Sequence, residues 1–370
     1  MDDTRLREYN KTRLGNNHSN ICNAPFNNMY LNVLGKVGPC WLTYVRDEAP
    51  TWGDDMGLHQ IWFGDYFNKL REKIKNKDLS NECATCEKNI SCGNFMGTLA
   101  QAYDNNYPLS EYPSVMELEL SNLCNLECIM CRGELSSSIR KNRDKLPPLK
   151  IAYDDRLVKE ILPFLPHLKE MRFNGGEPFM HQLCFNLWEK VSELNPDIEI
   201  TVATNGTMLN NKIKSILDRC KFRINISVDA LDEKNYEVIR KNANYKKVMS
   251  NIEYYADYCK KNNRIFSIMI NPMKQNWWEM PDFVEWCNRN DYYLWFNTVV
   301  DPFDCSIQSM TKAEKENVYA ELSKKKDFYV NHQNKNVTHI HNSNIKKYEN
   351  FVENQVRVWS LEADKEDTSV

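Results

Sequence analysis

From residue 113 onward, short strand-like runs alternate with amphipathic helical runs. The strand candidates are SVMELEL (114–120), EMRFN (170–174), EITVATN (199–205), RINISVD (223–229), IFSIMIN (265–271) and YYLWFNT (292–298). Helical patterns lie between them at 155–165 and 181–194 and in NKIKSILDRC, NYKKVMSNIEYYADYCKKN and MPDFVEWCNRN. Strands separated by helices argue for parallel pairing, because parallel neighbours need crossovers and crossover helices cover the sheet. The expected fold class is therefore α/β, with six parallel strands in a sheet that is open or closed as a barrel. One parity of each strand is apolar, as in Met116, Leu118 and Leu120, or Ile224, Ile226 and Val228. The other is polar: Glu117 and Glu119, Arg172 and Asn174, Thr201 and Asn205, and Asn225, Ser227 and Asp229. The apolar parity must meet the helices, since only they can bury it. The polar parity then faces inward and predicts a wet cavity able to hold ligands, unlike the aliphatic interior of a packed barrel.

The chain has 370 residues and a net charge of −3, so it lacks the basic footprint of a nucleic-acid binder. No apolar run approaches the roughly 20 residues of a membrane span. The start, MDDTRLREYNKTRLG, is charged and has no apolar core. The expectation is a cytoplasmic protein with neither nucleic acid nor membrane as a partner. Residues 1–112 lack the strand–helix rhythm and predict a separate small domain. Residues 113–330 form the sheet domain, and 331–370 a polar, loosely held tail that is partly helical.

Thirteen cysteines are many for a reducing compartment, where clustered thiols point to metal or redox chemistry. Three sit in LSNLCNLECIMCRGE as Cys124-x3-Cys128-x2-Cys131, directly after the first strand. Disulfides need even numbers, and closed zinc or ordinary iron–sulfur sites take four ligands. Three thiolates leave one position open. The triplet also falls at the C-terminal end of the sheet, where such folds place their sites. The second strand ends in MRFNGGEP (171–178). Gly175 and Gly176 let backbone approach a ligand closely, and Glu177 can accept hydrogen bonds from an amine.

Cys-x3-Cys-x2-Cys after one strand and Gly-Gly-Glu-Pro after the next resemble the radical S-adenosylmethionine (SAM) superfamily, over roughly residues 113–305. The resemblance implies a partial (β/α)6 barrel of the TIM-like type. It implies a [4Fe–4S] cluster on Cys124, Cys128 and Cys131, with SAM chelating the fourth iron. An electron from the reduced cluster, supplied by an external donor such as flavodoxin or ferredoxin, then cleaves SAM to methionine and a 5′-deoxyadenosyl radical. That radical takes a hydrogen atom from substrate. By the same resemblance, Glu177 and the Gly175–Gly176 backbone hold the SAM amine, and Asn205 and Ser227 touch its carboxylate or ribose. The residue before the last cysteine is usually aromatic in this family. Here it is Met130, whose thioether can pack on adenine.

Upstream lie Cys22, Cys40, Cys83, Cys86 and Cys92, with Gly35 placed for a tight turn before Cys40. Two separated cysteines plus a Cys-x2-Cys pair complete a four-ligand set, either a zinc ribbon or a four-thiolate iron–sulfur site. The spacing resembles the twitch and SPASM auxiliary-cluster domains of radical SAM enzymes. The shorter twitch form implies a second [4Fe–4S] cluster on Cys22, Cys40, Cys83 and Cys86, with Cys92 as an alternate ligand. In that family the domain generally follows the barrel, whereas here it precedes it. The inward residues Glu117, Glu119, Arg172 and Asn225 are the candidate substrate contacts, and Cys305, just past the sixth strand, is the candidate hydrogen donor. The expected substrate is a peptide or protein side chain. The alternatives are dehydrogenation of a small sugar-like or aminocyclitol alcohol, and a non-enzymatic electron carrier or structural metal protein.

Overall fold

A computed structural model describes residues 3–13, 18, 20–43, 48–53, 55–104, 110–299, 301–331 and 338–362, apart from the side chains of 96, 330 and 331. Its strands are β1 (Asn28–Leu31), β2 (Val37–Gly38), β3 (Val115–Leu118), β4 (Glu170–Phe173), β5 (Glu199–Thr204), β6 (Lys221–Ser227), β7 (Phe266–Ile270) and β8 (Tyr293–Phe296). They form one mostly parallel sheet in the order β2-β1-β3-β4-β5-β6-β7-β8. The six strands read from the sequence are β3 to β8. The sheet also takes in β1 and β2 from the cysteine-rich segment, β1 parallel to β3 and β2 antiparallel to β1.

The chain divides into two compact units: residues 1–123, 149–202 and 210–222, and residues 124–148, 203–209 and 223–370. In the first unit, Glu117 lies opposite Arg172 and Arg172 opposite Thr201, so the polar parity of β3, β4 and β5 is in register. The apolar parity is buried: Met116, Met171, Ile200 and Val202 are fully covered. Behind it, Trp188 of the helix Gln182–Leu194 packs against Phe173, Phe179, Phe185 and Phe222, with ring centroids 5.0–5.5 Å apart. A second core unites Tyr9, Ile21, Ile74, Leu79, Cys86, Ile90 and Ala100. Beside it, Arg13 forks onto Asp104 at 2.6 and 2.7 Å, with both side chains fully buried.

In the second unit, side-chain caps begin the helices: Ser136 accepts from Ile139 N, Asp232 from Asn235 N and Asn244 from Lys247 N. The C-terminal segment is more ordered than a loosely held tail. Helices at His339–Phe351 and Arg357–Leu361 flank a π-helical turn, Val352–Val356. Tyr348, Phe351, Val352 and Val356 are at most 2% exposed. Their spacing puts an apolar stripe on one helix face, enough to dock an otherwise polar segment. Asn344, on the first of these helices, acts as a strand mimic. Its amide donates to Tyr292 O at 2.8 Å and accepts from Leu294 N at 2.8 Å, satisfying the outer edge of β8.

Candidate active site and cluster sites

The loop after β3 is anchored through its carbonyls. Ser138 Oγ donates to Cys124 O at 2.8 Å, Ser136 Oγ to Leu126 O at 2.7 Å, and Arg143 Nη2 to Cys131 O at 2.7 Å. These donors lie in or beside the helix Ser137–Asn142, so the local sequence SSSIRKNR folds back to hold the cysteine loop. Cys124, Cys128 and Cys131 are all half-buried thiols.

Burial pushes the Cys128 thiol up to about 12, against the lowering influence of Arg240. Burial likewise pushes Cys131 up to about 11, opposed by a hydrogen bond from the backbone at Arg132. Arg240 is the residue that sequence reasoning missed. Its Nη2 bonds Asp229 at 2.6 Å with both side chains buried, and its Nη1 lies 4.0 Å from Cys128 Sγ. A fixed guanidinium there would offset negative charge on iron-bound thiolate. Asn205 lies against the cysteine loop: its Nδ2 lies 3.0 Å from Asn125 Oδ1 and 3.8 Å from Cys124 Sγ, and its Oδ1 accepts from Thr207 Oγ1 at 2.7 Å. Cys305 is 8% exposed and its Sγ donates to Ile129 O at 3.5 Å, which also places it at this loop. Met130, Asn225 and Ser227 are half-buried.

The Gly-Gly-Glu-Pro turn is tied to the segment leading into the loop. Gly175 has φ +100°, a left-handed value that a side chain would strain. Gly176 N donates to Ser121 O at 3.0 Å, and Glu177 N to Leu123 O at 2.7 Å. A Cβ on Gly176 would stand 2.3 Å from Leu123 O. Glu177 is 1% exposed and its carboxylate accepts from Phe179 N at 3.1 Å, capping the short turn Pro178–Met180.

On the polar face of the first unit, Arg172, Glu117 and Glu119 are each held by neighbouring side chains. Arg172 forks onto Glu170 at 3.0 and 3.1 Å, and Thr201 Oγ1 donates to the same carboxylate at 3.0 Å. Glu117 accepts from Asn174 Nδ2 at 3.2 Å and bonds Tyr103 OH at 3.1 Å, while Tyr30 OH donates to Glu119 at 2.6 Å. Burial pushes the Glu117 carboxyl up, with Arg172 opposing. Glu170 and Tyr103 were not foreseen. Glu170 shares the parity of Arg172 and was open to the same strand argument, whereas Tyr103 lies in a stretch without periodicity.

Cys22, Cys40, Cys83 and Cys86 line one cavity, walled also by Leu42, Leu79, Leu99, Ala100, Tyr103 and Glu82. Cys83 caps the helix Ala84–Ser91 and Cys86 lies in its first turn. Burial raises all four thiols, and their neighbours add to the rise: Cys40 on Cys22, Cys83 on Cys40, and Cys86 on Cys83. Such mutual repulsion marks a convergent set of donors that a polynuclear cation would neutralise. Among the described residues, no three His, Cys, Asp or Glu side chains gather closely enough to hold a single metal ion. The four thiols surround a shared apolar space. Cys92 is exposed, does not line this cavity, and donates to Asn89 O at 3.4 Å.

The radical SAM superfamily model matches residues 118–287, and that of the SPASM iron–sulfur cluster-binding domain matches residues 22–87. The class to which the matched domain belongs is the radical SAM enzymes. Within it, this chain carries an iron–sulfur domain of SPASM type ahead of the radical SAM domain. The radical SAM domain implies a [4Fe–4S] cluster with SAM, and the SPASM domain implies auxiliary iron–sulfur clusters.

Among curated relatives, a GTP 3′,8-cyclase of Clostridium perfringens strain SM101 is 28% identical over 184 residues, 49% of this chain and 54% of that protein. Another, from strain 13, is 30% identical over 148 residues, covering 40% and 43%. The chain thus spans about half the length of the curated relatives it matches. Among solved structures, Streptococcus suis SuiB bound to S-adenosylmethionine has a TM-score of 0.44 at 16% identity, covering 77% of this chain and 64% of that one. The AdoMet-bound anSMEcpe has a TM-score of 0.44 at 20% identity, covering 59% and 58%. No described helix is long and apolar enough to cross a membrane.

Proposed function

We propose that this chain uses reductive cleavage of SAM to start radical chemistry on a peptide or protein side chain, with oxidation of the product by way of the N-terminal cluster. The observation that carries this reading is the presence of two separate thiol sets of different completeness. Cys124, Cys128 and Cys131 are three half-buried thiols on one anchored loop. Cys22, Cys40, Cys83 and Cys86 are four thiols around one cavity. A three-thiol set leaves an iron open to SAM, whereas a four-thiol set closes its cluster for electron transfer. A cluster held by Cys124, Cys128 and Cys131 would supply the electron for reductive cleavage of SAM. Glu177, with the backbone at Gly175 and Gly176, binds the SAM amine; Asn205 and Ser227 bind its carboxylate or ribose; Met130 packs on its adenine. Glu117, Glu119, Arg172 and Asn225 face the substrate. Arg172 does so through its fork to Glu170, which orients the pair.

A second reading is supported by the hydrogen-bonded polar face of β3–β5: dehydrogenation of a small sugar-like or aminocyclitol alcohol. The relatives named GTP 3′,8-cyclase make GTP a further substrate to assay. Cys305, at the cluster loop, is the thiol that would return a hydrogen atom if the product were an epimer rather than an oxidised species.

The test is anaerobic reconstitution followed by a strong reductant and SAM. 5′-Deoxyadenosine should form, and Cys128→Ala should abolish it. Replacing Cys83 and Cys86 together should remove about half the iron while SAM cleavage persists. Normal cleavage by the Cys128 variant, or stoichiometric zinc in place of the N-terminal iron, would refute the reading. In heavy water with a turned-over peptide, a product two hydrogens lighter supports the oxidative route. Deuterium at an inverted carbon, lost in Cys305→Ala, shows the epimerising one.

A further inference from the structure

Between Cys124 and Cys128 the loop carries one carboxylate, Glu127, that the chemistry above does not use. It is 7% exposed. Three side-chain donors converge on it: Asn142 Nδ2 at 2.7 Å and Asn242 Nδ2 at 2.9 Å on Oε1, and Lys241 Nζ at 2.8 Å on Oε2. The backbone adds two more ties, Glu127 N to Lys241 O at 3.0 Å and Ile129 N to Ile239 O at 2.9 Å.

These donors come from two places far apart in sequence. Asn142 ends the helix Ser137–Asn142, whose start already holds the carbonyls of Cys124 and Leu126. Lys241 and Asn242 belong to the turn after the helix Glu233–Ile239. Asn242 has φ +75°, a left-handed conformation that asparagine tolerates better than most residues. Each of the two segments therefore grips the middle of the loop as well as its surroundings, and both grips meet on one carboxylate. Burying a carboxylate is unfavourable unless its lone pairs are satisfied. Here they are satisfied by donors from two separate segments, so the carboxylate ties both segments to the two cysteines that flank it.

We propose that Glu127 is the positioning residue that sets the spacing of Cys124, Cys128 and Cys131 before iron arrives. Retention of the cluster at this loop, and not of the N-terminal cluster, depends on it. The inference rests on assigning the SAM-binding cluster to these three cysteines. Groups that hold metal ligands in place typically contribute about 10–100-fold to metal retention.

The experiment uses the full chain with both clusters loaded anaerobically. The reduced protein is followed by electron paramagnetic resonance with and without SAM during exposure to an iron chelator. The signal that changes on adding SAM reports the loop cluster, and the other reports the N-terminal one. In Glu127→Ala the SAM-responsive signal should decay at least about tenfold faster than in the parent, with the other signal decaying at the parental rate. Glu127→Gln, which keeps an acceptor oxygen for the two asparagines, should fall between. Asn142→Ala, which removes one donor of three, should do the same and serves if the alanine variant fails to fold. Equal acceleration of both signals, or of neither, would overturn the proposal. A SAM-responsive signal surviving in Cys128→Ala would show instead that the cluster assignment is at fault.

Discussion

Gly176→Ala isolates the fit between the two site-forming turns. The backbone at Gly176 does not require a glycine conformation, so the perturbation is one of space. The added methyl would lie 2.3 Å from Leu123 O, 2.7 Å from Asn122 C and 2.8 Å from Leu123 C. An ordinary carbon–oxygen contact is about 3.3 Å, so the segment Asn122–Leu123 must retreat by about 1 Å. All three obstructing atoms are backbone, and no side-chain rotation relieves them. Overpacking of this kind costs about 1–3 kcal/mol. The hydrogen bonds from Gly176 N to Ser121 O and from Glu177 N to Leu123 O weaken together, at about 1 kcal/mol each. A total of about 3–5 kcal/mol lowers the melting temperature by several degrees. The larger effect falls on ligand binding. Leu123 is the residue before Cys124, and a displacement of about 1 Å in a binding constellation can weaken function about 100-fold. Titration calorimetry with SAM on the reconstituted protein, beside a thermal melt, measures both. A Gly176→Ala protein with parental SAM affinity and parental melting temperature would show that the turn does not constrain the cysteine loop.

Arg13→Met should destabilise the N-terminal region by about 3–5 kcal/mol, because it strands the buried Asp104 carboxylate with Asn23 Nδ2, at 3.1 Å, among its remaining partners. Thermal unfolding read at the N-terminal cluster's absorbance checks this, and an unshifted transition contradicts it. Lys347 gives a pH prediction. Burial pushes its ammonium pKa down from 10.5 to about 8, so between those values the unfolded chain binds more protons than the native one. Stability contributed by this site should therefore rise with pH across about 8–10.5 and be flat below. The ring of Trp295, with its centroid 3.5 Å from Nζ, favours the charged form and should hold the total near about 1–2 kcal/mol. Urea unfolding of Lys347→Met at pH 7.5 and pH 10 should lose this slope, and an unchanged slope would assign it to other groups.

Strand parity made much of the fold legible, and cysteine spacing pointed to the two matched domains. Ile200 and Val202, or Ile224 and Ile226, alternate with polar neighbours because one face meets helices and the other does not. β1 was not assigned to the sheet because it lies in the cysteine-rich segment, outside the strand–helix rhythm that begins at residue 113. The C-terminal helices were underestimated because Asn, Lys and His dominate the composition there, although Ile345, Tyr348 and Val352 keep helical spacing. Arg240 was unreadable for a different reason. In VIRKN it looks like the polar end of a helix, and only the fold brings it to both Asp229 and Cys128. Glu127 was equally silent, since its donors lie 15 and more than 100 positions away.

Asn344 has a consequence for how this chain can meet a peptide. Many proteins capture extended peptides by letting them join a sheet, which needs a strand whose outward amides and carbonyls are vacant. At β8 the docking rungs at Leu294 N and Tyr292 O are already occupied by the Asn344 amide, itself fully buried. A visiting chain would have to evict a packed helix before it could form its first rung. At these two rungs, recognition by backbone zippering is foreclosed. A peptide that reacts here would have to be chosen by its side chains, and that directs the search for a partner toward sequence motifs rather than toward extended strands in general.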